Sequence, residues 1–425
     1  MMKINWSGFS KKTYPERLKT LRDSDLLSHE LQENLEKNET LSVAIADQLS
    51  ENVVGTFSLP FSIVPEVVVN NQAYTVPYVT EEPSVVAAAS FACKIINRSG
   101  GFSAYVHQRL MIGQVALYQV PDREQACQEI LNQKDQLLEI ANQAYPSIVK
   151  RGGGARELRV EKVSGQTDFL VVYLHVDTQE AMGANMLNTM LEALKPHLES
   201  LSRGQSLMGI LSNYATESLV TSSCRIAFHY LSPNKDEARE LANKIVLASH
   251  FAQADPYRAA THNKGIFNGI DALLIATGND WRAIEAGAHA YASRDGLYRG
   301  LSLWTLDSEK EELIGEMTLP MPIATKGGSI GLNPRVVLSH ELLGQPSAKD
   351  LAQIIVSMGL AQNFAALKAL VGAGIQQGHM KLQAKSLALL AGAKEAEVPK
   401  LVEGLIAEKT FNLEKAKSIL KALRS

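Results

Sequence analysis

The spacing of apolar residues divides the chain into stretches of different period. Leu18, Leu21, Leu26, Leu27, Leu31 and Leu35 recur among Glu, Lys and Gln, so residues 16–50 read as helical, with an Ala/Leu-rich part at 41–49. The texture then changes. Residues 53–79 are rich in Val, Phe, Tyr and Pro, and Asn70-Asn71 marks a turn between two strand-like runs. Pro83 follows two glutamates and opens an Ala-rich helix over 84–97, where its missing N–H is harmless.

The stretch 114–211 has its own order. Strands are predicted at 115–120, 157–163, 168–177 and 206–211, and helices at 122–144 and 179–199, with Asp122 capping the first. That succession is β-α-β-β-α-β, the ferredoxin-like arrangement, and it predicts a small inserted domain over 108–214. Around it the pattern is a larger α/β body over 1–107 and 215–374. Its helices are expected at 234–253, 281–292 and 347–371, the last capped by Ser347 with Asp350 three residues on. Gly372, Gly374 and Gly378 then break the pattern. Residues 375–425, Lys-, Ala- and Leu-rich, read as a helical flap too small for much core of its own. The fold class is therefore mixed α/β, or α+β.

Composition narrows the class. With 425 residues, 45% hydrophobic and 20% charged, the chain can bury a core and is not disordered. A net charge of −3 argues against nucleic acid as partner. Cys93, Cys127 and Cys224 are odd in number and far apart, which argues against a disulfide framework. The longest apolar run, Val85 to Cys93, falls short of the about 20 residues a membrane helix needs. The N-terminus lacks the apolar core of a signal peptide, so a cytoplasmic protein without a membrane is expected.

Several standard signatures are missing. No Gly is followed by Lys, so there is no P-loop; His29-Glu30 and His340-Glu341 lack a second His at metalloprotease spacing. Gly372-Ala-Gly374-Ile-Gln-Gln-Gly378 is one residue too long for a Rossmann fingerprint. Gly327-Gly328-Ser329-Ile330-Gly331 fits the G-x-S-x-G nucleophile elbow on paper, but prolines surround it and a flexible turn is the better reading. Glu81 and Glu82 stand at the start of an apolar helix. Either they favour its N-terminus, or one is a partly buried general acid. Residues 255–282, DPYRAATHNKGIFNGIDALLIATGNDWR, mix polar groups with Gly around a strand-like LLIAT. If a strand returns between them, Lys264 and Asp280 could converge. No metal-ligand spacing is seen.

Taken together, ENVVGTFSLP (51–60), TEEPSVVAAAS (80–90), EAMGANMLNTM (180–190), the 255–292 segment, GLAQN (359–363) and GIQQGHMKLQAK (374–385) resemble the bacterial, soluble class of 3-hydroxy-3-methylglutaryl-CoA (HMG-CoA) reductases. The resemblance implies a large HMG-CoA-binding and dimerisation domain, an inserted dinucleotide-binding domain and a C-terminal flap. It implies four-electron reduction of HMG-CoA to mevalonate and CoA by a homodimer with its active site at the subunit interface. Some members run the reverse, degradative reaction. The resemblance places the catalytic set on Glu82, Lys264, Asp280 and His379, with Asp280 tying Lys264 and Glu82 into one network. It puts the dinucleotide on Glu180, Met182, Gly183 and Asn185, Glu180 standing where the family more usually has Asp. It gives the HMG portion Ser84, Asn213, Arg258, Asn268 and Gln362. The loop before the triple glycine, 142–151, holds Tyr145, Lys150 and Arg151 and no acid, where NADH-using relatives place an Asp at the Tyr145 position. NADPH is therefore expected over NADH, since bases attract a 2′-phosphate. Two rivals stand beside this: a CoA-ester hydrolase or acyltransferase using Ser329, and a non-enzymatic sensor built on the ferredoxin-like domain.

Overall fold

The computed structural model describes residues 4–372, 384–408 and 410–424. Three short helices open the chain, α1 (Tyr14–Arg22), α2 (His29–Glu36) and α3 (Val43–Leu49), and residues 50–60 have no regular structure. The hairpin β1 (Phe61–Val69) and β2 (Gln72–Val79) follows. Asn70 and Asn71 both take positive φ, 50° and 64°, which lets a two-residue turn match the strand twist.

After α4 (Val85–Arg98) and β3 (Phe102–Val106) the chain leaves this sheet and builds a second one. Its elements are β4 (Met111–Tyr118), α5 (Arg123–Asn132), α6 (Lys134–Ala144), α7 (Pro146–Val149), β5 (Gly154–Val163), β6 (Phe169–Asp177), α8 (Ala184–Ser202) and β7 (Gln205–Ser212). The strand order β5-β6-β4-β7 is that of the ferredoxin-like fold. The helix expected over 122–144 breaks at Gln133 into α5 and α6. Both helices still bury an apolar stripe, including Ile130, Leu137 and Ala141, against the sheet. The chain returns at β8 (Leu219–Ala227), and the two crossings run side by side: His107 N donates to Leu219 O at 3.0 Å and Leu110 N to Glu217 O at 2.9 Å.

β8, β9 (Ser302–Asp307) and β10 (Glu312–Pro320) complete a six-stranded sheet of order β2-β1-β3-β8-β10-β9. Against it pack α4, α9 (Lys235–Ala254), α10 (Pro256–Ala276) and α13 (Ala348–Val371), with α11 (Trp281–Ala292) and α12 (Pro334–Leu342) at one side. The strand expected at LLIAT is instead the end of α10. Asp255 caps this helix and Pro256 occupies its first turn. Its buried residues include Ala259, His262, Asn263, Ile266, Phe267, Ile270, Leu273 and Leu274, the 3.6-residue period of a helix. Two glycines bring α10 close to α13. A Cβ on Gly269 would lie 2.9 Å from Met358 O, and one on Gly359 would lie 2.9 Å from the Ile270 side chain. α13 is apolar enough by composition to span a membrane, yet most of it is buried in the core of the large body. The C-terminal helical stretch 384–390, Val398–Ala407 and Leu413–Arg424 share a separate small cluster including Ala388, Leu401, Leu405 and Leu420.

Candidate functional site

A cleft of about 990 Å³ opens between α4, α9, α10 and α13. Six residues singled out from the sequence line it: Glu82, Ser84, Arg258, Lys264, Asn268 and Gln362. α10 presents Arg258, Lys264 and Asn268 toward it, the turn between β2 and α4 presents Glu82 and Ser84, and α13 presents Gln362.

Lys264 Nζ donates to Glu82 Oε2 at 2.5 Å, and Asn268 Nδ2 approaches Glu82 Oε1 at 3.5 Å. An ammonium held against a carboxylate can neutralise an oxyanion and exchange a proton at one place. Ser84 takes φ 77°, a left-handed conformation that costs a non-glycine residue about 1 kcal/mol or more. Gln362 is buried and lines the cleft, and its Oε1 has no hydrogen-bond partner among the described residues. The outer wall carries Phe91, Lys244 and Lys368, with the Lys368 ammonium 5.4 Å from the Phe91 ring. Burial lowers both Lys368 and Arg258 from their ordinary values.

The floor is a polar network the sequence reading did not single out. His262 Nε2 meets Ser302 Oγ at 2.7 Å and accepts from Asn363 Nδ2 at 3.1 Å, while Trp304 Nε1 donates to Asn363 Oδ1 at 2.7 Å. Burial, helped by the nearby Arg258 cation, pushes His262 down to about 3. These partners lie 40 to 101 residues from His262, so no local spacing announces them.

Asp280 departs from expectation. It caps α11, accepting from Arg282 N at 3.1 Å and Ala283 N at 3.2 Å, and it pairs with the Arg282 side chain. Burial alone would raise its carboxyl, but the Arg282 guanidinium and these amides hold it below its ordinary value. It does not line the cleft. Within one chain it cannot reach Lys264, because the second half of α10, from Lys264 to Ala276, lies between them. Asn213 also lies away from the cleft, its carbonyl against Gly287 of α11, where a Cβ would come within 2.4 Å. His379 lies outside the described residues.

The dinucleotide candidates gather at one end of the small sheet. α8 starts at Ala184 rather than 179, with Gly183 at φ 92° as its cap. A Cβ on Gly183 would lie 2.4 Å from Thr178 Cγ2, so only glycine fits there. Asn185 is exposed and Met182 half-buried. Beside this turn runs the triple glycine: a Cβ on Gly153 would lie 2.5 Å from Asp177 O. Tyr145 is half-buried on the small-domain core, and Lys150 and Arg151 are exposed. Among the described residues neither base pairs with a carboxylate. Glu180 does not head the helix. Its carboxylate accepts from Thr325 Oγ1 at 2.5 Å and Ala348 N at 2.8 Å, on the large body.

Ser329 sits in an exposed turn that neither β10, ending at Pro320, nor α12, starting at Pro334, directly adjoins. Gly327, Gly328 and Gly331 all take positive φ, so the segment is a glycine turn and not a nucleophile elbow.

Comparison with known proteins accords with this geometry. The family model described as hydroxymethylglutaryl-coenzyme A reductase matches residues 13–384. A 3-hydroxy-3-methylglutaryl-coenzyme A reductase of Archaeoglobus fulgidus is 41% identical over 421 residues, 98% of this chain and 94% of the relative. A Streptococcus pneumoniae reductase of the same name has a solved structure 76% identical to this chain, with TM-score 0.87, covering 99% of this chain and all of that one. Another structure, of the class II enzyme from Streptococcus pneumoniae bound to NADPH in open conformations, is 77% identical with TM-score 0.86, over 87% of this chain and all of that one.

Proposed function

The chain belongs to the hydroxymethylglutaryl-coenzyme A reductase family of oxidoreductases, and from that premise we propose that it is a cytoplasmic enzyme reducing HMG-CoA to mevalonate and CoA with NADPH. The observation that carries the reading is the Lys264–Glu82 pair, set in a cleft with Ser84, Arg258, Asn268 and Gln362. The volume suits a ligand of this size. The Lys244 and Lys368 cations on the outer wall suit the phosphates of a CoA ester.

The cofactor's residues fit it. Gly183 leaves no room for a side chain, the 182–185 turn leads into the start of α8, and Lys150 and Arg151 are exposed bases with no carboxylate partner among the described residues. The Streptococcus pneumoniae structure carrying NADPH supports the same choice. Two NADPH molecules, bound in turn, would supply one hydride each. Lys264 would neutralise the charge developing on the thioester oxygen and later on the aldehyde oxygen. Glu82, hydrogen-bonded to Lys264, would give the alkoxide its proton. His379 would protonate the departing thiolate, as the family resemblance implies. Arg258 would take the substrate carboxylate, and Ser84, Asn268 and Gln362 its polar oxygens.

Asp280 and Asn213 would act from a second copy. Both adjoin α11, away from the Lys264 cleft of their own chain, so a homodimer with its site at the interface would bring the partner copy of each to that cleft. The division of labour follows: 1–107 with 215–374 bind HMG-CoA and dimerise, 108–214 bind the dinucleotide, and 375–425 form the flap. The test is loss of reduced-nicotinamide absorbance on adding HMG-CoA. Lys264→Ala should lower the rate by about 10²–10³-fold with the fold intact. A variant keeping most of the rate removes Lys264 from the mechanism.

A further inference from the structure

The turn before the dinucleotide site is tied to the large body by an unusual number of bonds. Thr325 N and Lys326 N donate to Glu180 O at 3.0 and 3.3 Å. The Glu180 carboxylate accepts from Thr325 Oγ1 and Ala348 N. From the other side the Arg109 guanidinium donates to Gln179 O at 2.8 Å, Ala181 O at 3.1 Å and Ile323 O at 2.7 Å. Burial lowers Arg109 from its ordinary value, against the raising effect of Glu180 and Asp177. Nothing in the local sequence announces these contacts, since the acceptors of Arg109 lie 70 to 214 residues away.

Ala348 opens α13, whose first N–H groups have no partner inside the helix and whose N-terminus carries partial positive charge. Ser347 satisfies Asp350 N, and Glu180 satisfies Ala348 N. The same helix carries Gln362 into the cleft. Glu180 thus touches both the turn that enters the dinucleotide site and the helix that lines the substrate site.

We propose that Glu180 is a positioning residue that couples dinucleotide binding at 182–185 to HMG-CoA binding in the cleft, through the N-terminus of α13. The inference rests on the NADPH reading of that turn. A dinucleotide that settles the 182–185 turn fixes Glu180, and Glu180 fixes the end of a rigid helix that leads to Gln362. The coupling is reciprocal by necessity. It also depends on the length of this side chain. An aspartate is shorter by one C–C bond, about 1.5 Å. That stretches the 2.8 Å contact to Ala348 N beyond hydrogen-bonding distance.

The test measures the affinity of the full chain for NADP⁺, which has no hydride to give, by calorimetric titration with and without saturating HMG-CoA. In the wild type HMG-CoA should tighten NADP⁺ binding about fivefold or more. Glu180→Asp, Glu180→Gln and Thr325→Val should each bring that factor close to one while changing HMG-CoA affinity alone by less than about threefold. Thr325→Val keeps the test open if a Glu180 variant does not fold. Asn185→Ala should weaken NADP⁺ yet keep the coupling factor. If Asn185→Ala weakens NADP⁺ while the Glu180 and Thr325 variants keep wild-type coupling, or if the wild type shows none, the coupling role is overturned alone. If Asn185→Ala leaves NADP⁺ affinity unchanged, the cofactor reading of the turn falls, and the inference with it.

Discussion

Mixing two inactive variants distinguishes a site built within one chain from a site shared between two. The twelve steps from Lys264 to Ala276 rise about 18 Å along α10, and Asp280 lies beyond the helix end. A lysine and an aspartate side chain together extend less than about 10 Å, so the two cannot meet in one chain. Lys264→Ala and Asp280→Asn homodimers should each lose about 10²–10³-fold in kcat, since each removes a group from every site. When equal amounts are unfolded together and refolded, half of the dimers are mixed. In a mixed dimer of shared sites, one site has lost both groups and the other has both intact, so the mixture should recover about one quarter of wild-type activity. If each chain used its own Asp280, no mixed dimer would hold an intact site and nothing would return. Recovery of the reduced-nicotinamide signal is the assay, and light scattering checks that dimers form. A mixture as inactive as its parents refutes the shared site.

Four further outcomes follow from the geometry. Burial holds the His262 imidazole neutral, with its folded value near 3 below the ordinary 6.5. The unfolded chain therefore binds the extra proton first, and stability should fall by up to about 1.4 kcal/mol per pH unit as pH drops from 6.5 toward 3; urea unfolding of the wild type and His262→Gln across this window should show a shallower slope in the variant. Gly269→Ala would push a methyl against Met358 O on α13 and should lower stability by about 1–3 kcal/mol, read as a lower melting temperature. Replacing Lys150 and Arg151 with alanine should reduce the kcat/KM preference for NADPH over NADH about tenfold or more, and an unchanged ratio would move the 2′-phosphate site elsewhere. Ser329→Ala should leave reduction unchanged, because Ser329 stands in an exposed turn.

The fold was most legible where pattern and local chemistry agree. Helix α11 runs over 281–292 as its spacing predicts, and Asn70-Asn71 forms the turn between strands. Ser347 caps α13 as its place before Asp350 suggests. The β-α-β-β-α-β succession was readable because each strand and helix carries its own local period, although the strands lie out of sequence order, β5-β6-β4-β7. The break at Gln133 was not, since α5 and α6 continue one apolar stripe across it.

The largest error lay in α10, and its cause bears on how the site works. Gly265, Gly269 and the asparagines lower helix propensity, and LLIAT reads locally as a strand, so the segment looks like loop and strand. What decides it is tertiary. Gly269 faces Met358 O, Gly359 faces Ile270, and Asn263 Nδ2 donates to Tyr298 Oη and Arg299 O. Residues that weaken an isolated helix here allow close approach to α13 and satisfy backbone 36 residues away in sequence. The error also carried a functional claim, because a returning strand would have brought Lys264 and Asp280 together in one chain. A continuous helix instead points Lys264 and Asn268 into the cleft with Gln362 of α13, and holds Asp280 at its far end. The packing that overrides local propensity thus also decides which side chains of one chain share the cleft: Lys264 meets Glu82 there, and Asp280 caps α11.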